Sequence, residues 1–371
     1  MPSSNLPQIP SASAAARHAA KNRQNHLTKP VGALGQLENL AIQIAAATAS
    51  EIPTVPQHPA LVIMAADHGI SRQGVSAYPP EVTAQMVKNF TTGGAAANAF
   101  ARQASVRMVV VDIGVDHDFS PDLPIRHAKI RRGTRDFSIE AALTLDEVDA
   151  ALQVGLDCAT ELILPSNASP PIDLLILGEM GIGNTTASAA LTSVAIGTEP
   201  WVVTGRGSGI TTAQHQHKEE LVTAGISRHA PDPTNARAIL AAFGGLETAG
   251  LAGIAIGAAA RRVPVVIDGF ITGAAALAAT LLAPNLREYL IAAHQSTEAG
   301  HRVILDFLDL NPLLDLEMRL GEGTGGLLAV PIVQATLAAH AEMATFDEAG
   351  VSEKTAKQTG GKKRHHNQKQ L

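Results

Sequence analysis

The sequence predicts an α/β fold, a parallel sheet flanked by helices, and three observations predict it. Four or five short apolar runs, among 61–65, 106–113, 174–177, 263–267 and 290–293, have the length and composition of buried strands. Each run stops at an acid, a histidine or a glycine, and a helical pattern follows it. That alternation of strand and helix builds a parallel sheet with helices on both faces. Ligands of such sheets sit beyond the carboxyl ends of the strands, so Asp67, Glu179, Asp268 and Ser296 are expected to be neighbours in space. No GxGxxG follows any strand, which disfavours a dinucleotide-binding fold.

The N-terminal residues 1–15 are rich in Pro, Ser and Ala and are expected to be loosely held. A helix is predicted over 14–27, then a turn at 28–38, then an amphipathic run through Leu37, Leu40, Ala41, Ile44 and Ala45. Lys29 and the glycines of that turn either touch a ligand or articulate the two helices, and the second is favoured. The first strand ends on Asp67 and His68, which look like a metal pair. Adjacent residues at a strand end point apart, and no third ligand follows at a useful spacing. Hydrogen bonding within the loop is the expected role. Tyr78, one of two tyrosines, stands on the next loop, where an aromatic ring packs against a flat ligand. Pro80 and Glu81 suit the first turn of the helix after it.

A helix is predicted at 95–102. The residues Asp116 and Asp118, with arginines at 126, 131, 132 and 135, read as an exposed excursion with a solvated charged face. A helix over 145–162 returns the chain to the central strand, and 165–171 is a plain loop.

The central stretch is the most informative. The strand 174–177 stops at Gly178, and Gly178, Gly181 and Gly183 allow a tight turn before Asn184, Thr185, Thr186 and an Ala-rich helix. A strand, a glycine loop and a helix N-terminus make an anion site from free N–H groups and the positive end of the helix dipole. The spacing from Gly178 to Gly183 copies a P-loop, but Asn184 stands where that motif requires lysine. An NTPase is therefore excluded and phosphate binding is kept. Gly205, Arg206, Gly207 and Ser208 then offer close backbone approach and a fork of donors for an oxyanion, with Lys218 on the helix that starts near 211. The phosphate is expected between the 181–186 loop, the 205–207 turn and Lys218. His215 and His217 are two apart on that helix and do not share a face for a metal.

Further predicted helices cover the run opening at 243–250, 271–282 and 327–340. Glu322 lies between Gly321 and Gly323 just before the last of them. Capping alone would not need glycine on both sides, so chemistry is the expectation.

Composition bounds the rest. A chain of 371 residues, 46% hydrophobic and 17% charged, buries a large core. A net charge of −6 leaves no nucleic-acid footprint, and 3% aromatics leave no platform for stacking several bases. Cys158 is the single cysteine, so no internal disulfide forms and a reducing cytosol is expected. Residues 1–21 carry no apolar core of signal-peptide length, and apolar stretches such as 274–283 fit buried helices better than membrane spans. From Ser352 the tail is basic and of low complexity, and disorder is expected.

Seven motifs, in order, carry a resemblance: KPVGALGQLE at 29–38, ADHG at 66–69, GVSAYP at 74–79, LGEMGIGNTT at 177–186, GRG at 205–207, DGF at 268–270 and LGEGTG at 320–325. Together they resemble the nicotinate-nucleotide:dimethylbenzimidazole phosphoribosyltransferase family, over about 25–345. The resemblance implies transfer of ribose phosphate from nicotinate mononucleotide to a benzimidazole, giving α-ribazole phosphate and nicotinate for the lower ligand of cobalamin. It also implies a homodimer; a cytoplasmic protein is expected, with no cofactor, metal, nucleic acid or membrane partner. A Rossmann-like large domain is implied at 61–310, with a small helical domain built from 1–60 and 311–350, and 351–371 as a basic tail. Glu322 would be the general base. Glu179, Gly181, Gly183, Asn184, Thr185, Gly205, Arg206, Gly207, Lys218 and Ser296 would contact the nucleotide; Tyr78, with Gln85 or Met86, would line the base slot. One departure is Ala33, where the family often has serine.

Two other classes compete with this reading. Another phosphoribosyl or nucleotide-processing enzyme would need a pyrophosphate and Mg²⁺ site, and no adjacent acidic pair precedes a small-residue loop. A non-catalytic nucleotide sensor would have little use for both Glu179 and Glu322.

Overall fold

The computed structural model describes residues 6–164, 169–207 and 209–352. Parts of the expected 165–171 loop, Ser208 and the basic tail beyond 352 lie outside the described residues. Six parallel strands form one sheet in the order β3-β2-β1-β4-β5-β6. The strands are β1 (Pro59–Ala66), β2 (Arg107–Gly114), β3 (Arg126–His127), β4 (Leu174–Met180), β5 (Val265–Ile267) and β6 (Leu290–Ala292). This is the doubly wound order of dinucleotide-binding domains, formed without their glycine fingerprint. The fingerprint reports the ligand, whereas the order follows from which apolar runs pair.

Helices cover both faces, as continuous apolar strands require. On one face lie α5 (Leu145–Ile163), α6 (Asn184–Ile196), α9 (Ala236–Phe243), α10 (Leu246–Ala259) and α11 (Phe270–Leu282), packed on Val62, Met64, Leu175 and Leu177. On the other, α2 (Gln36–Thr48), α3 (Val82–Thr92), α4 (Ala96–Gln103) and α13 (Thr324–Glu342) pack on Leu61, Ile63, Leu174 and Ile176. Among the described residues α13 alone is long and apolar enough to cross a membrane; it is a core helix packed on β4, α2 and α4.

Small residues set the depth of the first layer. All of α10 is buried. A Cβ on Gly155 of α5 would stand 2.1 Å from the Gly250 carbonyl oxygen, and one on Gly253 of α10 2.1 Å from that of Leu152. The two helices therefore touch backbone to backbone.

The two ends of the chain are clasped together. Leu27, just after α1 (Ala14–His26), forms an antiparallel bridge with Thr345. The Arg23 guanidinium donates to the carbonyls of His340, Ala341 and Met343 at 2.7, 2.9 and 3.2 Å. Lys29 and Glu38 form a buried ion pair at 2.7 Å, and the Glu38 carboxylate also accepts the N–H groups of Gly32 and Leu34. Their contacts shape the turn between α1 and α2.

Three expectations need correcting. The central strand does not stop at Gly178 but runs to Met180, because Gly178 pairs with Ile63 of β1 in the ladder. The charged excursion contains a sixth strand, β3, and Arg131 and Arg135 are half-buried and bind Glu147 in the first turn of α5. Charge there ties a helix N-terminus as well as facing solvent. Residues 6–13 are not loosely held: Ile9 is buried, and the Ile9 and Pro10 carbonyls accept from the Asn285 side chain and the Tyr289 hydroxyl.

Gly155→Ala is expected to destabilise the fold by about 1–3 kcal/mol, the range for overpacking, read as a lower melting temperature. An unchanged melting temperature would mean that α5 moves away from α10 without cost.

Candidate active site

Loops at the carboxyl ends of β1, β4, β5 and β6 meet at the point where the strand order reverses, between β1 and β4. The loop after β4 is drawn onto the end of β1. A Cβ on Gly181 would lie 2.3 Å from the Ala66 carbonyl oxygen, and Gly183 takes a left-handed φ of 98° as the residue before α6. Only glycine meets both demands. Helix α6 thus begins at Asn184 with its N-terminus facing the site.

Lys218, on α8 (Thr212–His229), is wholly buried beneath that N-terminus. Its Nζ donates to Thr185 Oγ1 at 2.9 Å and to the Gly205 carbonyl at 3.0 Å. A Cβ on Gly207 would come within 2.9 Å of Thr185 Oγ1 and 3.6 Å of Lys218 Nζ, so the 205–207 turn closes over both. Burial lowers the Lys218 pKa to about 8, against the Glu298 carboxylate, which raises it. Arg206 is exposed, and its guanidinium donates to the Ile210 carbonyl and Thr212 Oγ1 instead of turning inward. Ser296 is buried beside Gly269; its N–H donates to His301 Nδ1 at 2.9 Å. Burial, with the neighbouring His294, holds the His301 pKa down to about 3, so this nitrogen remains an acceptor.

Three acids gather at the ends of β4 and β5 and in the loop before α13: Glu179, Asp268 and Glu322. Glu179 lies on β4, its carboxylate accepting from the Asn184 side chain, and a Cβ on Gly321 would fall 2.2 Å from its Oε1. Burial first, then Asp268, Glu247 and Glu322, raise its pKa to about 8. Glu322 has a left-handed φ of 61° between Gly321 at 84° and Gly323 at 79°. Three successive left-handed residues explain the flanking glycines, and the conformation of Glu322 itself costs on the order of 1 kcal/mol. Asp268 maintains the bend: its carboxylate accepts the Gly323 N–H at 3.2 Å and the Gly326 N–H at 3.0 Å. Gly178 leaves room for the loop, since a Cβ there would stand 3.0 Å from the Glu322 carbonyl oxygen. The Glu322 side chain is buried, and its Oε2 has no hydrogen-bond partner among the described residues. Burial, opposed by the Ala97 N–H and assisted by Asp268, raises the Glu322 pKa to about 7. The residue that precedes α13, Gly323, makes no side-chain cap, and Glu322 does not cap that helix.

The expected base slot is looser. Tyr78 is 55% exposed on its loop. Gln85 is exposed on α3, whereas Met86 is half-buried and packs with the layer of Val87 and Phe90. Asp67 accepts the Asp116 N–H at 2.8 Å, and burial raises its pKa against that bond and the Thr83 hydroxyl.

Sequence reasoning missed the pair beneath the glycine loop. His68 Nε2 meets Glu247 Oε1 at 2.7 Å, and both side chains are buried. Burial opposes the charged His68, yet Glu247 and then Asp67 raise its pKa. The available signal was Glu247 itself, the one charged residue of α10. Among the described residues no group of acids, histidines or cysteines is arranged to hold a metal ion.

A family model described as phosphoribosyltransferase matches residues 9–351. The chain is similar to nicotinate-nucleotide--dimethylbenzimidazole phosphoribosyltransferase of Chloroflexus aggregans, 52% identical over 336 residues that cover 91% of this chain and 94% of that one. The protein of the same name from Geobacter sulfurreducens is 48% identical over 336 residues, 90% of this chain and 93% of its own. Among solved structures, CobT from Thermus thermophilus superposes with a TM-score of 0.87 at 41% identity, over 92% of this chain and 100% of that chain.

The raised pKa of Glu179 fixes a sign for stability. Between its ordinary 4.5 and about 8 the unfolded carboxyl ionises while the folded one stays protonated, so its contribution to stability falls as pH rises. Glu179→Gln is therefore expected to gain melting temperature relative to the parent, with a gap that widens from pH 5 to about pH 8. A gap that is constant with pH would show that Glu179 does not titrate in this range.

Proposed function

This chain belongs to the nicotinate-nucleotide:dimethylbenzimidazole phosphoribosyltransferase family, and we propose that it transfers phosphoribose from nicotinate mononucleotide to 5,6-dimethylbenzimidazole. The products are α-ribazole 5′-phosphate and nicotinate, the former for the lower ligand of cobalamin. The observation that carries the reading is Glu322: a buried carboxylate with an unpartnered oxygen and a pKa of about 7, held on a left-handed loop just before α13.

Each step has a group to serve it. The nucleotide phosphate takes the N-terminus of α6, the Gly205–Gly207 turn and the Lys218 ammonium, since a dianion needs N–H donors and a cation. Ser296 and Glu179 border the ribose and nicotinate. One benzimidazole nitrogen attacks the anomeric carbon; the bond to nicotinate breaks and its electron pair leaves with the ring nitrogen. The proton on the other benzimidazole nitrogen passes to Glu322, which leaves the product neutral at that ring. Before that transfer the Glu322 charge also favours the positive charge that develops on the ribose. Tyr78, with Gln85 or Met86 of α3, lines the base slot. Residues 1–60 and 311–350 are taken as a small domain beside the 61–310 domain, and the working form as a cytoplasmic homodimer, which light scattering checks.

Turnover of nicotinate mononucleotide with dimethylbenzimidazole is expected, and it should persist in EDTA; nucleotide binding without turnover would overturn the reading. Glu322→Gln is expected to lose about 10²–10⁴-fold in kcat with both KM values kept. The ionised carboxylate accepts the proton, so the parent's kcat should rise through about pH 7, and this limb should vanish in the variant. Near-full activity in Glu322→Gln with a dead Glu179→Gln would exchange the two roles.

Lys218→Ala is expected to raise the KM for nicotinate mononucleotide well above any change for the base. In the parent the same KM should climb as pH passes about 8, where the ammonium is lost. An unchanged nucleotide KM would remove Lys218 from the phosphate site.

A further inference from the structure

Thr83 belongs to α3, the helix assigned to the base slot, yet its polar contact lies in the nucleotide loop. Its side chain is wholly buried, and Oγ1 accepts the N–H of Ile182 at 3.1 Å. Ile182 is the residue between Gly181 and Gly183. The same hydroxyl also stabilises the ionised form of Asp67 at the end of β1. A helical threonine ordinarily turns its hydroxyl back to the carbonyl one turn earlier; this one reaches across to another element. Valine has the same shape and would fill the position without burying a hydroxyl. The hydroxyl therefore matters for what it holds, the backbone N–H of Ile182 in a loop whose two glycines rest on Ala66, His68 and Ser71.

We infer that Thr83 is a positioning residue that couples the two substrate subsites, fixing the 181–183 loop in its nucleotide-binding shape when α3 is seated by the base. The inference rests on the assignment of those subsites above. Seating the base against α3 tightens the Thr83–Ile182 bond and so favours nucleotide binding. By linkage, bound nucleotide favours the base by the same factor.

The test is made in the Glu322→Gln protein, where slow turnover lets both substrates bind together. The affinity for nicotinate mononucleotide is measured by calorimetry without and with saturating dimethylbenzimidazole. The expected ratio is about 5-fold or more, the usual lower bound of coupling. Adding Thr83→Val should bring the ratio close to one and speed hydrogen exchange at the Ile182 amide. Thr83→Ser, which keeps the hydroxyl and drops the methyl, should preserve both, and it serves as the readout if the valine variant folds poorly. A ratio of one in the parent, a ratio unchanged by Thr83→Val, or a ratio lost in Thr83→Ser despite an unaltered melting temperature would each overturn the inference. Lys218→Ala in the same assay judges the nucleotide site separately: weakened nucleotide binding there with an intact ratio in Thr83→Val refutes the coupling alone.

Discussion

Burying several carboxylates around one set of strand ends is the constraint on which the rest of this structure depends. Asp268, Glu179, Glu247 and Glu322 share a region with little water, where like charges repel strongly. The fold meets this by giving two of them partners. Glu247 faces His68, and Asp268 is spent on two N–H groups at the start of α13. Glu179 has the Asn184 amide and Glu322 has an oxygen with no partner, and burial pushes both carboxyls up towards neutrality. The buried Lys218 beneath α6 has a carboxylate of its own nearby, Glu298, which holds its pKa up against burial.

Backbone shape does as much as charge. The 321–323 loop lies on Gly178, the 181–183 loop lies on Ala66, and the 205–207 turn lies against Thr185. In each case one segment rests on the main chain or a short side chain of another, and a single methyl would hold them apart. The glycines that stand out in the sequence as flexible points are in fact places of contact.

Much of this is legible in the sequence. Helix boundaries at 14–27 and 145–162 agree closely with α1 and α5, since amphipathic spacing and capping residues are local signals. The strand ends point to the candidate site because parallel sheets present their ligands there. Less legible is anything fixed by tertiary contact. The two-residue β3 has no apolar run to announce it and exists because Arg126 and His127 pair with Val111 and Asp112. The length of β4 depends on pairing across Gly178, which propensity alone scores as a break. Arg206 looks like an oxyanion donor from its glycine neighbours, but only the fold shows its guanidinium turned to Ile210 and Thr212. The His68–Glu247 pair joins residues 179 positions apart, and no local pattern encodes such a distance.

The clasp between the two ends of the chain bears on how the protein is made. Arg23 grips carbonyls that lie up to 320 residues further on, so the first helices leave the ribosome long before their partners exist. At roughly 5–20 residues per second, the interval is on the order of 15–60 s. Throughout it, the apolar side of α2 with Leu40, Ala41 and Ile44 has no α13 to cover it. The central sheet can form meanwhile, but the loop carrying Glu322 and the helix α13 that follows it come after all six strands in the chain. The candidate site is therefore completed only once every strand of the sheet has been made.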